Sequence, residues 1–245
     1  MKSFGLSDRG KVRAENQDSY IIENCDKRGS VIAVICDGMG GAKAGDLASQ
    51  LSCKAFASGV YEKLISQNYY GVDHETILKD SCAEANGVVF EYSGFGSEYS
   101  GMGTTLVGGV ITKKFAHIVN IGDSRAYVMS KSGIRQISRD HSYVESLIAM
   151  GAIERSQAVS HPKKNIITRA LGVDRTVEAD YFRTELHSGD CILLCSDGLS
   201  NMISDREMLK AYETEKTPEK ICRSLIELAL GRGARDNVTV VTVKI

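Results

Sequence analysis

Five aspartates are the residues best placed to do chemistry. Asp37 follows the apolar run VIAVIC, Asp123 follows HIVNIG and Asp197 follows CILLCS, so each arrives as a β-rich run ends. Asp18 precedes SYIIEN and Asp236 precedes NVTVVTV, so these two open such runs. In an antiparallel sheet the end of one strand lies beside the start of its neighbour, which would gather all five at one edge. Carboxylates crowded in this way repel one another and resist ionisation unless cations neutralise them. An all-oxygen donor set suits hard ions such as Mg2+ and Mn2+. Two such ions roughly 3.5–4 Å apart form a clamp for attack of water on a phosphate ester. Taken singly, each aspartate is a common turn or helix-cap residue. The chemistry belongs to the set.

The elements that must position these acids can be read from the apolar periodicity. Short strands are expected at 3–8, 19–24 and 30–36, the third almost wholly apolar and therefore buried, with a glycine-rich turn directly after Asp37. Helical spacing covers about 43–66 and 74–92. From residue 103, β-rich runs alternate with turn signals at Lys113-Lys114, Gly122-Asp123 and Ser132-Gly133. A short helix is expected within YVESLIAMGAI, in an otherwise irregular stretch from 140 to 170. Strands return near 179–185 and 190–196, and a helix over about 218–230 starts after Thr217 with Pro218 at its first position. NVTVVTVKI is a closing strand. Strands and helices come in blocks without βαβ alternation, which points to an α+β fold of mostly antiparallel sheets with helices on either side. With no repeat, no linker tract and only Pro162 and Pro218 as prolines, residues 1–245 read as one domain.

Composition narrows the partners. A formal net charge of −1 offers no basic field to gather nucleic acid, and Lys113-Lys114 and Lys163-Lys164 read as solvated surface. The seven cysteines are odd in number, lack a C-x-x-C and lie partly in apolar runs, so they read as core residues in a reducing cytoplasm rather than as a zinc site. No signal peptide or membrane span is expected, since no window approaches about 18 consecutive apolar residues.

Eight stretches carry a family resemblance. SDRGKVRAENQDS (7–19), DGMGG (37–41), GTT (103–105), GDSR (122–125), DHS (140–142), TRALG (168–172), SDGL (196–199) and RDNVT (235–239) occur in one register over nearly the whole chain. In that order they resemble the metal-dependent protein phosphatases of the 2C type, and most of all the compact bacterial serine/threonine phosphatases that oppose membrane-bound kinases. The resemblance implies an αββα sandwich, two mostly antiparallel sheets flanked by helices, with metals in a cleft at one edge. It implies two ions, Mn2+ or Mg2+, bridged by Asp37. The backbone carbonyl of Gly38 would ligate one, and Asp197 and Asp236 would complete the protein ligands of the other. Asp18 would act mainly through metal-bound water, and Asp123 with Asp197 would mark a third ion. Arg13 would fork onto two phosphate oxygens, a geometry that guanidinium suits better than ammonium; an Arg13 held in a surface ion pair is the competing reading. A hydroxide bridging the two ions would attack phosphorus in line. Thr104, Thr105 and Ser124 read as structural, and 143–168 aligns with the family's flap over the cleft.

Two departures stand out. Many eukaryotic members carry a histidine after the metal-binding Asp-Gly, proposed as general acid; here Met39 occupies that position and has no proton to give, and His141 has no sequence claim to the role. Gln17 replaces a glutamate common before the first aspartate, keeping an acceptor oxygen without the charge. The implied substrates are phosphoserine and phosphothreonine in proteins, the implied partner a cognate serine/threonine kinase, and the expected state a cytoplasmic monomer. A catalytically lapsed phosphoprotein-binding module and a phosphatase of partner-switching regulators are the alternatives. All five aspartates are present, which favours the enzyme.

Overall fold

The computed structural model describes residues 1–25, 29–66, 73–158 and 160–245. Its strands form two sheets. The first runs in the order β1 (Lys2–Asp8), β11 (Val238–Lys244), β10 (Cys191–Cys195), β7 (Arg125–Ser130), β8 (Gly133–Gln136). The second runs β2 (Asp18–Cys25), β3 (Ser30–Met39), β5 (Leu106–Ile111), β6 (Phe115–Ile121), β9 (Asp180–Glu185), with the two-residue β4 (Gly103–Thr104) paired to the end of β3. The pairs are antiparallel throughout.

Side chains alternate across a strand, and this period of two builds the layers. On β3, Ile32, Val34 and Cys36 point to one face and pack on Cys53, Phe56 and Val60 of α1 (Ala42–Ile65) and on Ile77, Leu78 and Cys82 of α2 (His74–Ser93). Val31, Ala33 and Ile35 point the other way, against Ile192 and Leu194 of β10 and Val241 and Val243 of β11. The outer face of the first sheet, including Leu193, Cys195, Val238 and Val240, is covered by α5 (Asp197–Ser200), α6 (Asp205–Thr214) and α7 (Pro218–Gly231). Helices, sheet, sheet, helices: the αββα sandwich is as expected. Two small helices, α3 (Tyr143–Ala149) and α4 (Arg155–Ala158), lie between β8 and β9 in the expected flap, of which Val159 is outside the described residues.

Two local expectations are corrected. The third strand does not end at residue 36 in a turn; it continues through Asp37 and Gly38 to Met39, because Gly38 and Met39 pair with Thr104 and Gly103 of β4. The segment after Asp197 holds α5 and α6, which the periodicity reading passed over. Helix α6 starts where Glu207 accepts from the Ser204 backbone N–H at 3.0 Å, one half of the Ser-x-x-Glu capping pattern. All seven cysteines are free and buried. Among the described residues no helix is long and apolar enough to cross a membrane.

Phe56, fully buried between α1 and the second sheet, tests the layer directly. Phe56→Ala is expected to lower unfolding stability by about 3–5 kcal/mol, read as a reduced urea midpoint at unchanged slope.

Candidate functional site

The same alternation that sorts the core continues past its apolar end. Asp37 follows Val31, Ala33 and Ile35 on the face toward the other sheet, and Asp18 is its direct partner across β2 and β3. From the first sheet, Ser196 continues the row of Ile192 and Leu194, and Thr239 that of Val241 and Val243. At this rim the interlayer turns from apolar to acidic.

Here a cleft of about 290 Å3 opens, lined by Arg13, Asp37, Gly38, Asp123, Asp197 and Asp236, with Gln17, Met39, Thr105, Asn165, Ile167 and Asn237 among its other walls. Four of the five predicted acids thus share one cavity with Arg13. Asp18 lies behind it, 6% exposed, and lines a separate hollow of about 300 Å3 beside β2 and α1. A larger hollow of about 620 Å3 lies at the opposite ends of β7 and β10; Glu185 and Asp190 are its acids, and none of the five reaches it.

Each acid is held by its neighbours. The Asp37 N–H donates to Thr105 Oγ1 at 3.0 Å, and its carbonyl accepts from Thr104 Oγ1 and the Thr105 N–H, each at 2.9 Å. Thr105 in turn meets Ser124 at 2.8 Å. The GTT and GDSR stretches therefore brace the acid's backbone, a structural role for all three hydroxyls. Gly38 is fixed by close approach: a Cβ there would come within 2.0 Å of the Gly45 carbonyl in the first turns of α1. Arg13 sits on a loop clamped by Asn237, whose Nδ2 donates to the Arg9 and Glu15 carbonyls and whose Oδ1 accepts from the Gln17 N–H, all at 2.9 Å. Gly10 at φ +77 lets that loop rest on the Asp236 carbonyl, 2.2 Å from where a Cβ would lie. Arg13 Nη2 donates to Asp236 Oδ2 at 2.7 Å, so the arginine is ion-paired as the competing reading had it, but with one of the five acids and at the cleft wall.

The electrostatics follow from crowding. Burial and then the Asp18 and Asp197 charges push the Asp37 carboxyl well above the usual range. Burial, with Asp197 adding to it, takes Asp123 to about 7. Burial raises Asp18 to about 6 against two lowering hydroxyl bonds, and burial and Asp236 raise Asp197. Cations would relieve this strain, and the donor set fits hard divalent ions: carboxylate oxygens, a glycine carbonyl at a position no side chain could occupy, and Asp18 Oδ1, which is buried without a hydrogen-bond partner. Among the described residues no three His, Cys, Asp or Glu side chains already close on one point. The acids line the cleft rather than form a finished cage, so water would fill much of any ion's shell.

His141 is outside the cleft. Its Nδ1 accepts from the Gly122 N–H at 3.2 Å and its Nε2 faces Asp180 at 3.2 Å, which fixes the turn that presents Asp123. Arg125 clamps Asp140 through Nε and Nη2, joining the GDSR and DHS stretches. Asn165 and Ile167, from the flap, and Asn237 were not singled out by the sequence. Asn237 follows Asp236 in an Asp-Asn turn, which was its one signal; the flap pair reach the cleft by tertiary placement alone.

Relatives agree with this architecture. The family model described as Protein phosphatase 2C matches residues 9–223. The serine/threonine phosphatase stp of Listeria innocua is 36% identical over 239 residues, covering 97% of this chain and 93% of that one. Among solved structures, serine/threonine phosphatase Stp1 from Staphylococcus aureus superposes with a TM-score of 0.89 at 36% identity, covering 99% of this chain and 94% of that one. The catalytic domain of the serine threonine protein phosphatase PstP, in complex with two manganese ions, gives a TM-score of 0.83 at 34% identity over 98% of this chain and 96% of that one. Fold first, then sequence: the chain belongs to the protein phosphatase 2C family.

The raised carboxyls carry a pH consequence. An acid whose folded pKa is raised contributes stability below its ordinary pKa near 4 and loses it as pH rises through the folded value. With metal excluded by EDTA, the protein is expected to melt higher at pH 5 than at pH 8. Asp18 alone, raised to about 6 by burial, accounts for on the order of 1 kcal/mol between pH 5 and pH 8, since part of its contribution is already lost between pH 4 and 5. Melting curves across that range, repeated with Mn2+ at pH 8 to restore the loss, are the check.

Proposed function

We propose that this chain is a metal-dependent serine/threonine protein phosphatase, acting as one catalytic domain on phosphoserine and phosphothreonine in proteins. The observation that carries the reading is the convergence of Asp37, Asp123, Asp197 and Asp236 with Arg13 on a single cleft. Asp37 and the Gly38 carbonyl would hold one divalent ion, and Asp37, Asp197 and Asp236 the other. Asp18 would act from behind through water, and Asp123 with Asp197 at a third position. Bound ions, Mn2+ or Mg2+, supply a more acidic water as nucleophile and neutralise charge on the phosphoryl oxygens.

The remaining steps are the protein's own. Arg13, once Asp236 is engaged elsewhere, presents a planar fork to two phosphate oxygens and orients phosphorus toward the acids. Thr104, Thr105 and Ser124 keep Asp37 from shifting as charge develops. Met39 lies in the cleft wall and offers no proton, so the leaving alkoxide takes its proton from water or from another group and not from this position. A cysteine phosphoenzyme has no footing here: every thiol is buried, and burial pushes Cys191 and Cys195 up to about 12. The binding-module and partner-switching alternatives gain no support from a missing acid. Phosphorylated proteins of the cytoplasm, a cognate serine/threonine kinase among them, are the partners this reading expects for a monomeric enzyme.

Hydrolysis of a phosphothreonine peptide is expected to require Mn2+ or Mg2+ and to stop with EDTA. Asp37→Asn should remove turnover, and activity surviving either treatment would overturn the mechanism. Arg13→Ala should lower kcat/KM by about 10–100-fold, mainly through KM, as loss of a charged hydrogen bond of roughly 1.5–3 kcal/mol requires.

A further inference from the structure

Asp18 is the acid with the most asymmetric surroundings. Its Oδ2 accepts two hydrogen bonds, from Ser196 Oγ and Thr239 Oγ1, each at 2.7 Å. Its Oδ1 is buried and has no partner. Both hydroxyl residues are fully buried; Thr239 lies on β11 of the opposite sheet and Ser196 directly follows β10, so the bonds cross the seam of the sandwich.

The directions of these bonds are fixed by donor counting. A hydroxyl has one proton to give. Ser196 gives its proton to Asp18 and accepts from the Thr239 backbone N–H at 3.0 Å. Thr239 gives its proton to Asp18, so its 2.7 Å contact with Ser7 must be a bond that Ser7 donates. Ser7 then accepts from Asn16 Nδ2 at 2.8 Å. A donor chain thus runs Asn16 to Ser7 to Thr239 to Asp18 Oδ2, and Asn16 Oδ1 also accepts from the Asp18 N–H at 3.2 Å.

We propose that Ser196 and Thr239 are positioning residues that occupy Asp18 Oδ2 and so restrict this acid to acting through Oδ1 alone. A carboxylate with both oxygens free could swing to chelate an ion directly. One whose second oxygen is tied twice can offer a single acceptor, which suits holding one water of an ion's shell. The chain through Ser7 and Asn16 ties this arrangement to the loop that carries Arg13. The inference rests on reading Asp18 as part of the ion site.

Mn2+ binding to the full-length protein, measured by titration calorimetry and by the Mn2+-induced melting shift, separates the two claims. Thr239→Val is expected to weaken Mn2+ binding about 10-fold, Thr239→Ser to return it to within about 3-fold of wild type, and Ser196→Ala to weaken it as well. Combining Thr239→Val with Asp18→Asn should be no worse than Asp18→Asn alone, because both act through one carboxylate. If Thr239→Val and Ser196→Ala only lower the metal-free melting point and leave Mn2+ affinity unchanged, or if the double variant is additive, the positioning role is overturned while Asp18 keeps its place. If Asp18→Asn itself binds Mn2+ as wild type does, the underlying reading of Asp18 fails instead. Should Thr239→Val not fold, Ser196→Ala with the same double variant decides.

Discussion

Mutual repulsion among buried carboxylates is the constraint on which the rest of this structure depends. Left to themselves, acids this crowded would hold their protons or push apart, and the fold would lose its edge. Three of them are pinned by partners on the surrounding framework. Asp37 is fixed by its backbone, Asp18 by two hydroxyls, and Asp236 by Arg13 and the Asn237 N–H. The rigid surroundings store the repulsion, and a divalent cation is the natural way to release it. Function and instability share one origin.

The two-sheet layering makes such a concentration of charge affordable in geometry. A row of inward-facing side chains that is apolar in the middle of each strand becomes polar one step beyond its end, and the two sheets present those ends together. The rim therefore draws residues from both sheets without a loop having to bend deeply into the core. Arg13 and the flap residues Asn165 and Ile167 close it from outside.

Much of this was legible in the residues. The five aspartates declared themselves by position, since the end of a buried run is where an acid can reach the rim yet avoid the core. Blocks of strands and helices pointed to an α+β fold of antiparallel sheets, and the family resemblance supplied the αββα sandwich. The limits were also physical. Asp-Gly-Met-Gly-Gly reads locally as a turn, but pairing with Gly103 and Thr104, distant in sequence, holds Asp37 to Met39 as strand and leaves only Gly40 and Gly41 to turn. Helix α6 was legible too, with a capping pair in Ser204 and Glu207 and the buried Met208 and Ala211 three apart on one face, but the periodicity reading passed over it. Asn237 looks like turn punctuation, and its three side-chain bonds to residues 9–17 exist only after the chain's two ends meet. Asp18 could be read as an acid of the site, but its one-sided hydrogen bonding belongs to contacts across the sheets.

Strand β11 sits between β1 and β10 although it is the latest of the described elements in the chain. During synthesis, Asp18, Asp37, Asp123 and Asp197 are all made long before Asp236 and Asn237. Until that strand slots in, β1 has no partner along residues 2–8 and the Arg13 loop has nothing to clamp it. The cleft is therefore incomplete until the last strand is in place, because Asp236 and the clamp on the Arg13 loop arrive together.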